Sequence, residues 1–225
     1  MRTSLPVPDL VAYFSRQLAF FEDGANHVPL ADVLDNALAR FEFCASRIIA
    51  PGYLVENEAF FNHAHGDHSA ALLWFAGNSA YRTFHDRGLA EKFFLLNKLR
   101  NGIVVMYDTE LPRVFCLVHT VGTVLGKATY GEYFTAYQGA TVGADRDAQP
   151  RIGQRVALLP GARAIGRCVI GDDVTIGPGA SLVNADAPAA TIVRGTSPDV
   201  TCVPRKRDYA ALAFRVLPGD ELMMG

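Results

Sequence analysis

The chain lacks most of what would let it hold a nucleic acid, a disulfide framework or a membrane. Lysine plus arginine number 21 against 23 aspartates and glutamates, a net charge of −2. There is no basic excess to hold a phosphate backbone. The four cysteines (Cys44, Cys116, Cys168 and Cys202) are scattered and form no CxxC pair. That usage reads as reduced thiols in a cytoplasmic protein. Long apolar runs are missing too. The first residues, MRTSLPVPDLVAYFSRQLAFF, are interrupted by Pro6, Pro8, Asp9 and Arg16, so neither a signal peptide nor a membrane span is expected there. Histidine runs out early: His119 is the only one from residue 86 onward.

What is present is a period. Val118, Val124, Tyr130, Ala136 and Val142 fall six apart, and so do Ile152, Leu158, Ala164, Ile170, Ile176 and Leu182. Turn-forming glycines, Gly143, Gly153, Gly166, Gly171 and Gly177, follow many of them. Helices repeat every 3.6 residues and strands every two, so neither sustains a period of six. A coil with three faces of six residues does, each turn burying the face of the next. Eleven anchors predict between three and four turns. The competing reading is a β sandwich with regularly spaced turns. From Val142 to Ile152 the step is ten residues. The charged segment 144–151 is therefore predicted to be a loop standing off the prism, a common place for binding groups.

Upstream, apolar spacing predicts a helix from Pro8 to about Asp23 ended by Gly24, and a second defined by Leu30 to Ile48 and stopped by Pro51-Gly52. A third is predicted from about Ser69 to Arg82 and a fourth from about Gly88 to Asn101, with Gly102 as its stop. Residues 55–68 read as mixed, with a short turn or helix expected among them. The expected organisation is α+β: a helical cap over 1–105, a parallel β-helix of hexapeptide repeats over 106–202, and a tail over 203–225 of unassigned fold. Half of the residues are hydrophobic, enough for one large or two small cores.

The stretches LVHTVGTVLGKATYGEYFTAYQGATVG (117–143) and RIGQRVALLPGARAIGRCVIGDDVTIGPGASLV (151–183), with the exit APAATIVRGTSPDV (187–200), resemble the C-terminal half of the serine O-acetyltransferases. These lie within the hexapeptide acyltransferases. The likeness extends upstream through HSAALLWFAGNSAYR (68–82). It implies a left-handed β-helix, acetyl-CoA as acyl donor, a small-molecule acceptor, and a homotrimer or a hexamer of paired trimers. It also implies that His119 is the general base for the acceptor hydroxyl, a task suited to imidazole. A histidine hydrogen-bonded into the prism wall is the alternative. The family's partner aspartate stands fifteen residues before this histidine, where the chain has Val104. Counting from the preceding helix instead places Asp108 there, with Glu110 second. Either could equally be a solvated turn carboxylate in YDTELP.

Near HAHGDH (63–68) the likeness implies an acceptor-binding aspartate, with Asp67 one position from the strict match and His68 assisting. The same six residues match the HxHxDH zinc signature of the metallo-β-lactamases. That site needs a preceding buried strand, where this chain has NEAFFN, and two later histidines; only His85 and His119 remain, and one is claimed by the prism. A γ-carbonic anhydrase prism needs three zinc histidines and this one has one, so no metal is expected. Cys116 lies an odd number of residues from His119 on a strand, which puts it on the opposite face. For acetyl-CoA, the resemblance implies contacts from Gly143, Ala144, Gly161, Ala162, Ala180 and Arg194. Arg163, Arg194 and Arg205 are candidates for its phosphates.

The acceptor grip departs from the pattern. The family holds serine's carboxylate through an arginine-histidine pair before a proline, and here Ala148 and Gln149 precede Pro150. The aspartate before the catalytic histidine is Val118. Free serine is therefore expected to be held weakly, with Gln149 serving a larger, less charged acceptor such as a sugar or a secondary-metabolite hydroxyl or amine. A catalytically inactive prism acting as an assembly partner is the reading from another class.

Overall fold

A computed structural model describes residues 1–21 and 27–223. Helix α1 runs Val7–Leu18 and continues as a short 3-10 turn, Ala19–Phe21. The stop expected at Gly24 lies outside the described residues. Helix α2 is Leu30–Ala45, shorter than the apolar spacing predicts. Ile48 leaves it to bridge Phe214 of the tail. Helix α3 is Gly66–Arg82 and α4 is Arg87–Asn101. Gly102 ends α4 in the left-handed region, φ +66°, which a residue with a Cβ enters only with strain. Every residue of α3 from His68 to Ala80 is buried, because α2, α4 and the strand Phe115–Val118 pack around it. The mixed stretch is a hairpin, Leu54–Val55 with Glu58–Phe61, to which Arg2–Thr3 adds a third strand. Its turn residues Glu56 and Asn57 both have positive φ, 52° and 65°. This is the backbone a two-residue hairpin requires, here without the usual glycine that would signal it.

The rest is a left-handed parallel β-helix of about five turns, more than the three to four expected. One face stacks Val104–Val105, Val124–Leu125, Thr141–Gly143, Arg163–Ile165 and Ser181–Val183. A second stacks Phe115–Val118, Phe134–Tyr137, Ala157–Leu158, Thr175–Ile176 and Thr191–Arg194, where the antiparallel strand Thr201–Pro204 closes the edge. The third stacks Thr129–Tyr130, Arg151–Ile152 and Val169–Ile170. The extra turns come from the two ends, where the six-residue period breaks. Leu117 and Leu125, not Val118 and Val124, point inward, for they pair with buried Ala136 and Val142. From Tyr130 on, the expected anchors are buried in register. At one corner Gly131 stands over Gly153, and a Cβ on Gly131 would lie 2.4 Å from the backbone of Gly153. Only glycine allows successive turns that approach.

The tail folds back onto the cap. Ile49 N–H donates to Ala213 O (2.9 Å) and Arg215 N–H to Arg47 O (2.8 Å). Arg47 grips Asp220 with two nitrogens (2.7 to 3.1 Å), and Tyr133 OH donates to the same carboxylate (2.7 Å). Asp220 is 2% exposed. Burial opposes its ionisation, but the hydrogen bonds from Arg47, Tyr133 and the Leu217 N–H outweigh it and hold its carboxyl down at about 2. One buried ion pair thus ties the cap, the prism and the tail together.

Candidate active site

His119 follows the strand Phe115–Val118, at the end of the prism's first turn. It is exposed and has φ +53°, a left-handed conformation unusual for a non-glycine residue and often found where surrounding structure enforces it for function. The enforcement is visible. Asp67 Oδ1 accepts the His119 backbone N–H (2.9 Å). Thr120 Oγ1 donates to Asn101 O (2.9 Å), and Gly122 N–H to Gly102 O (3.0 Å). Val121 N–H closes onto His119 O at 2.6 Å. The start of α3 and the end of α4 therefore clamp the turn from the cap side. A Cβ on Gly102 would meet Val121 Cα at 3.4 Å, so α4 stops where the turn must pass.

The clamp opens into a cleft of about 390 Å³ lined by His65, Gly66, Asp67, Arg100, Asn101, His119, Thr120 and Val121, with the Arg100 guanidinium donating to Tyr13 OH, Gln17 Oε1 and His63 O. Asp67 lies in the first turn of α3, where the unpaired N–H groups of a helix favour a negative charge. The cleft thus combines an exposed imidazole, a carboxylate fixed by backbone geometry and a small apolar wall. That set can take a proton from a neutral hydroxyl and hold a polar acceptor beside it. His65, Asn101 and Thr120 were not foreseen. Asn101 and Thr120 belong to the clamp, whose signal was the Asn101-Gly102 helix stop.

Of the other expected residues, His68 is turned into the cap core. It is fully buried, its Nδ1 accepts the Asn62 N–H (3.1 Å), and its ring lies 4.2 Å from those of Tyr53 and His65. Desolvation, helped by His65, pushes it down to about 3. It is a neutral core histidine and does not line the cleft. The remaining histidines of HAHGDH are held elsewhere: His63 pairs with Ser4 Oγ (2.8 Å) and His65 caps α3.

The two carboxylates expected to orient His119 are engaged by other residues. Asp108 Oδ2 pairs with Lys127 Nζ at 2.9 Å, and Glu110 pairs with Arg82. Both lie beyond Val104–Val105, on the connection to the second face, and among the described residues neither bonds the His119 ring. The prism begins before they do, so counting from α4 places them too far along. Asp67 is the carboxylate that meets His119.

The expected acetyl-CoA contacts divide. Ala162 and Ala180 are buried, and their N–H groups close repeat turns onto Leu159 O (2.9 Å) and Gly177 O (3.0 Å). Gly161 likewise donates to Gln138 O (2.9 Å). A repeat that satisfies its own turns leaves these donors committed. Ala144, Arg194 and Gln149 are exposed, and Gly143 is half-exposed with open space where a Cβ would stand. Arg194 borders a hollow of about 570 Å³ shared with Ile192, Val203, Arg205, Lys206 and Arg207. Arg205 is itself paired with Asp173 and Asp208. The inserted loop stands off the prism as a small hairpin, with Asp145 and Ala148 exchanging both backbone hydrogen bonds at 3.0 Å. Asn184 holds it through Asp145 Oδ2 (2.8 Å). Gln149 lies beyond this hairpin and does not line the His119 cleft. Among the described residues no group of acids, cysteines and histidines is placed to hold a metal, and no helix is long and apolar enough to cross a membrane.

The chain is similar to known proteins of one kind. A serine acetyltransferase of Helicobacter pylori is 30% identical over 113 residues, covering 48% of this chain and 66% of that protein. The chain thus matches just under two thirds of that relative's length. Among solved structures, a serine acetyltransferase from Vibrio cholerae superposes with a TM-score of 0.66 at 20% identity, covering 90% of this chain and 81% of the other. A serine acetyltransferase in complex with CoA superposes with a TM-score of 0.61 at 15% identity, covering 87% and 92%. No family model matches the chain. At these identities the superpositions establish the fold. Together with the sequence relatives, they support a serine acetyltransferase-like hexapeptide-repeat protein.

Proposed function

We propose that the chain is an acyltransferase that moves the acetyl group of acetyl-CoA to the hydroxyl of a small, serine-type acceptor. The observation that carries this reading is His119: an exposed imidazole fixed at the mouth of a hexapeptide prism by a carboxylate from the cap. Its ring takes the acceptor's hydroxyl proton as the oxygen attacks the thioester carbonyl. The tetrahedral oxyanion collapses, the C–S bond breaks, and the imidazolium returns the proton to the leaving thiolate, releasing CoA and the acetyl ester. Asp67 holds the His119 turn in place and offers a negative charge to the acceptor's amine.

Acetyl-CoA is read as lying along the prism edge past Gly143 and Ala144, with Arg194 and Arg163 near its phosphates. A serine acetyltransferase with a similar fold has been solved in complex with CoA, which supports this donor. The cleft on one chain presents His119 and Asp67, and Gln149 stands away from it. A homotrimer, or two trimers joined through the cap, would bring the loop of one copy to the cleft of another. The working compartment in this reading is the cytoplasm.

Serine is the acceptor the relatives favour, although Val118 and Gln149 offer it no charged contact. Steady-state kinetics with L-serine tests the point. Saturation at millimolar concentration or below identifies serine as the acceptor. A rate that rises linearly with serine, beside saturation by an uncharged hydroxyl compound, identifies a less charged acceptor. No CoA release with any hydroxyl or amine acceptor would overturn the acyltransferase reading.

A further inference from the structure

A second site lies on the cap, sharing no residue with the His119 cleft. Between α2, α3 and the segment 111–113 is a cavity of about 330 Å³ lined by Asn36, Arg40, Phe43, Phe75, Leu111 and Arg113, among others. Two guanidinium groups face it. Arg40 stacks on Phe75 (4.9 Å) and Trp74 (5.4 Å), and its Nη1 donates to Ser79 Oγ (2.9 Å) and Phe75 O (3.4 Å). Arg113 lies over Phe43 at 4.2 Å, and Arg47 stacks on the same ring at 3.7 Å.

The contrast with Arg47 is informative. Arg47 has Asp220 as its counter-ion. Among the described residues Arg40 and Arg113 have no carboxylate within ion-pair distance. Glu132 is close to Arg113, but it takes the backbone N–H groups of Arg113 and Val114 and not the guanidinium. For Arg40 burial is felt without a compensating charge, and it brings the group down to about 10. Desolvating a cation without pairing it is costly, and buried charges normally have partners. Arg40 is half-buried and Arg113 exposed, and two guanidiniums without a carboxylate partner on one hollow make it a candidate anion site.

The walls limit what fits. Phe43, Phe75, Leu111 and Pro112 form an apolar floor, and the two guanidiniums supply planar donor forks suited to carboxylate or phosphate oxygens. The volume is at the small end of ligand pockets, about 300–1,000 Å³. We propose that this cavity binds a small organic anion, with a carboxylate or phosphate head on Arg40 and Arg113 and an apolar or aromatic body against Phe43 and Phe75. The segment carrying Arg113 leads into the strand Phe115–Val118, after which His119 follows. A ligand here therefore touches the segment just before that strand.

Calorimetric titration of the full chain with benzoate, phenyl phosphate and benzyl alcohol tests this. At least one anion should bind saturably, and comparing the two identifies the head group. Benzyl alcohol, which keeps the ring and drops the charge, should bind about tenfold more weakly or worse. Arg113→Met removes an exposed guanidinium and should weaken the anion by about tenfold or more, as loss of a charge-assisted hydrogen bond does. Arg40→Met should do the same, with thermal melting as the check on folding. The proposal is overturned if neither anion saturates by about 10 mM, if the alcohol binds as well as the anions, or if Arg113→Met binds like the wild type.

Discussion

In the prism each face of a turn buries one modest aliphatic side chain, Ile152, Leu158, Ala164, Ile170, Ile176 and Leu182 in succession. The parallel backbone ladder does the rest. The cap is built from large, irregularly placed rings, among them Phe14, Phe41, Phe61, Phe75 and Phe93, all buried. The first region is periodic because one local rule is applied turn after turn. The second has no such rule: α3 is wrapped by its neighbours, and the cap's polar residues are used one at a time, as in Asn78 Nδ2 of α3 to Tyr107 O (2.8 Å) and Asn97 Nδ2 of α4 to Ala70 O (2.9 Å). The candidate active site lies where the two meet. The prism supplies His119 and the cap fixes its backbone, so neither region makes the site alone.

The largest effect should come from breaking the prism's repeat. Gly131→Ala places a methyl 2.4 Å from the Gly153 backbone. Because the obstacle is backbone, the turns must separate, at a cost of about 3 kcal/mol or more. Denaturant unfolding should show that loss, or the chain should fail to accumulate. Ordinary stability in Gly131→Ala would mean that the turns are not stacked this closely.

Next comes the tie between tail, cap and prism. Asp220→Ala leaves Arg47 buried and unpaired, and should cost about 3–5 kcal/mol in unfolding free energy. The carboxyl's folded value is depressed, from 3.8 to about 2. Its contribution is therefore complete above pH 3.8 and is lost as pH falls from there through about 2. The wild type should lose stability across that interval, and the Asp220→Ala variant should show a smaller loss there. Parallel acid titrations followed by circular dichroism read the difference.

Asp67→Ala removes the carboxylate that takes the His119 N–H. It should lower kcat/KM with acetyl-CoA and acceptor by roughly tenfold to hundredfold, the value of a hydrogen bond to a charged group. Melting should fall with it, because the same bond ties the His119 turn to α3. Unchanged kinetics would show that the cap does not position the base. The smallest effects should be those of Asp108→Asn and Glu110→Gln. Each carboxylate pairs with an exposed cation, Lys127 or Arg82, and such pairs contribute about 0–1 kcal/mol. Turnover should stay within about threefold of wild type. A hundredfold loss in either would restore it as the partner of His119.

The contrast between the regions also explains what could be read in advance. From Tyr130 to Leu182 each anchor repeats a local requirement, so the fold and the inserted loop were legible; of the expected loop 144–151 only the first part stands out, since Pro150 is buried and Arg151 opens a strand. The first two anchors were not in phase, because Leu117 and Leu125 are eight residues apart and take their register from Ala136 and Val142 above them. The family likeness pointed to His119 and, one position off, to Asp67, and the structure brings the two together at one cleft. His68 misled because its neighbour in sequence faces the cleft, whereas its own side chain, one position on around the start of α3, enters the core. The Arg47–Asp220 pair joins residues 173 apart with no periodic signal, so no pattern along the chain announces it. The same holds for the pairing of Arg40 with Arg113 across one cavity.

The central claim is that His119, held between prism and cap, is the general base of acetyl transfer. The direct measurement is CoA thiol release from acetyl-CoA with L-serine and a panel of uncharged hydroxyl acceptors, comparing wild type with His119→Ala. The account predicts turnover by the wild type with at least one acceptor. It predicts a kcat lowered by roughly 10²–10⁴ in the variant, with acetyl-CoA binding by calorimetry within about threefold of wild type. Equal turnover by the two proteins would contradict it.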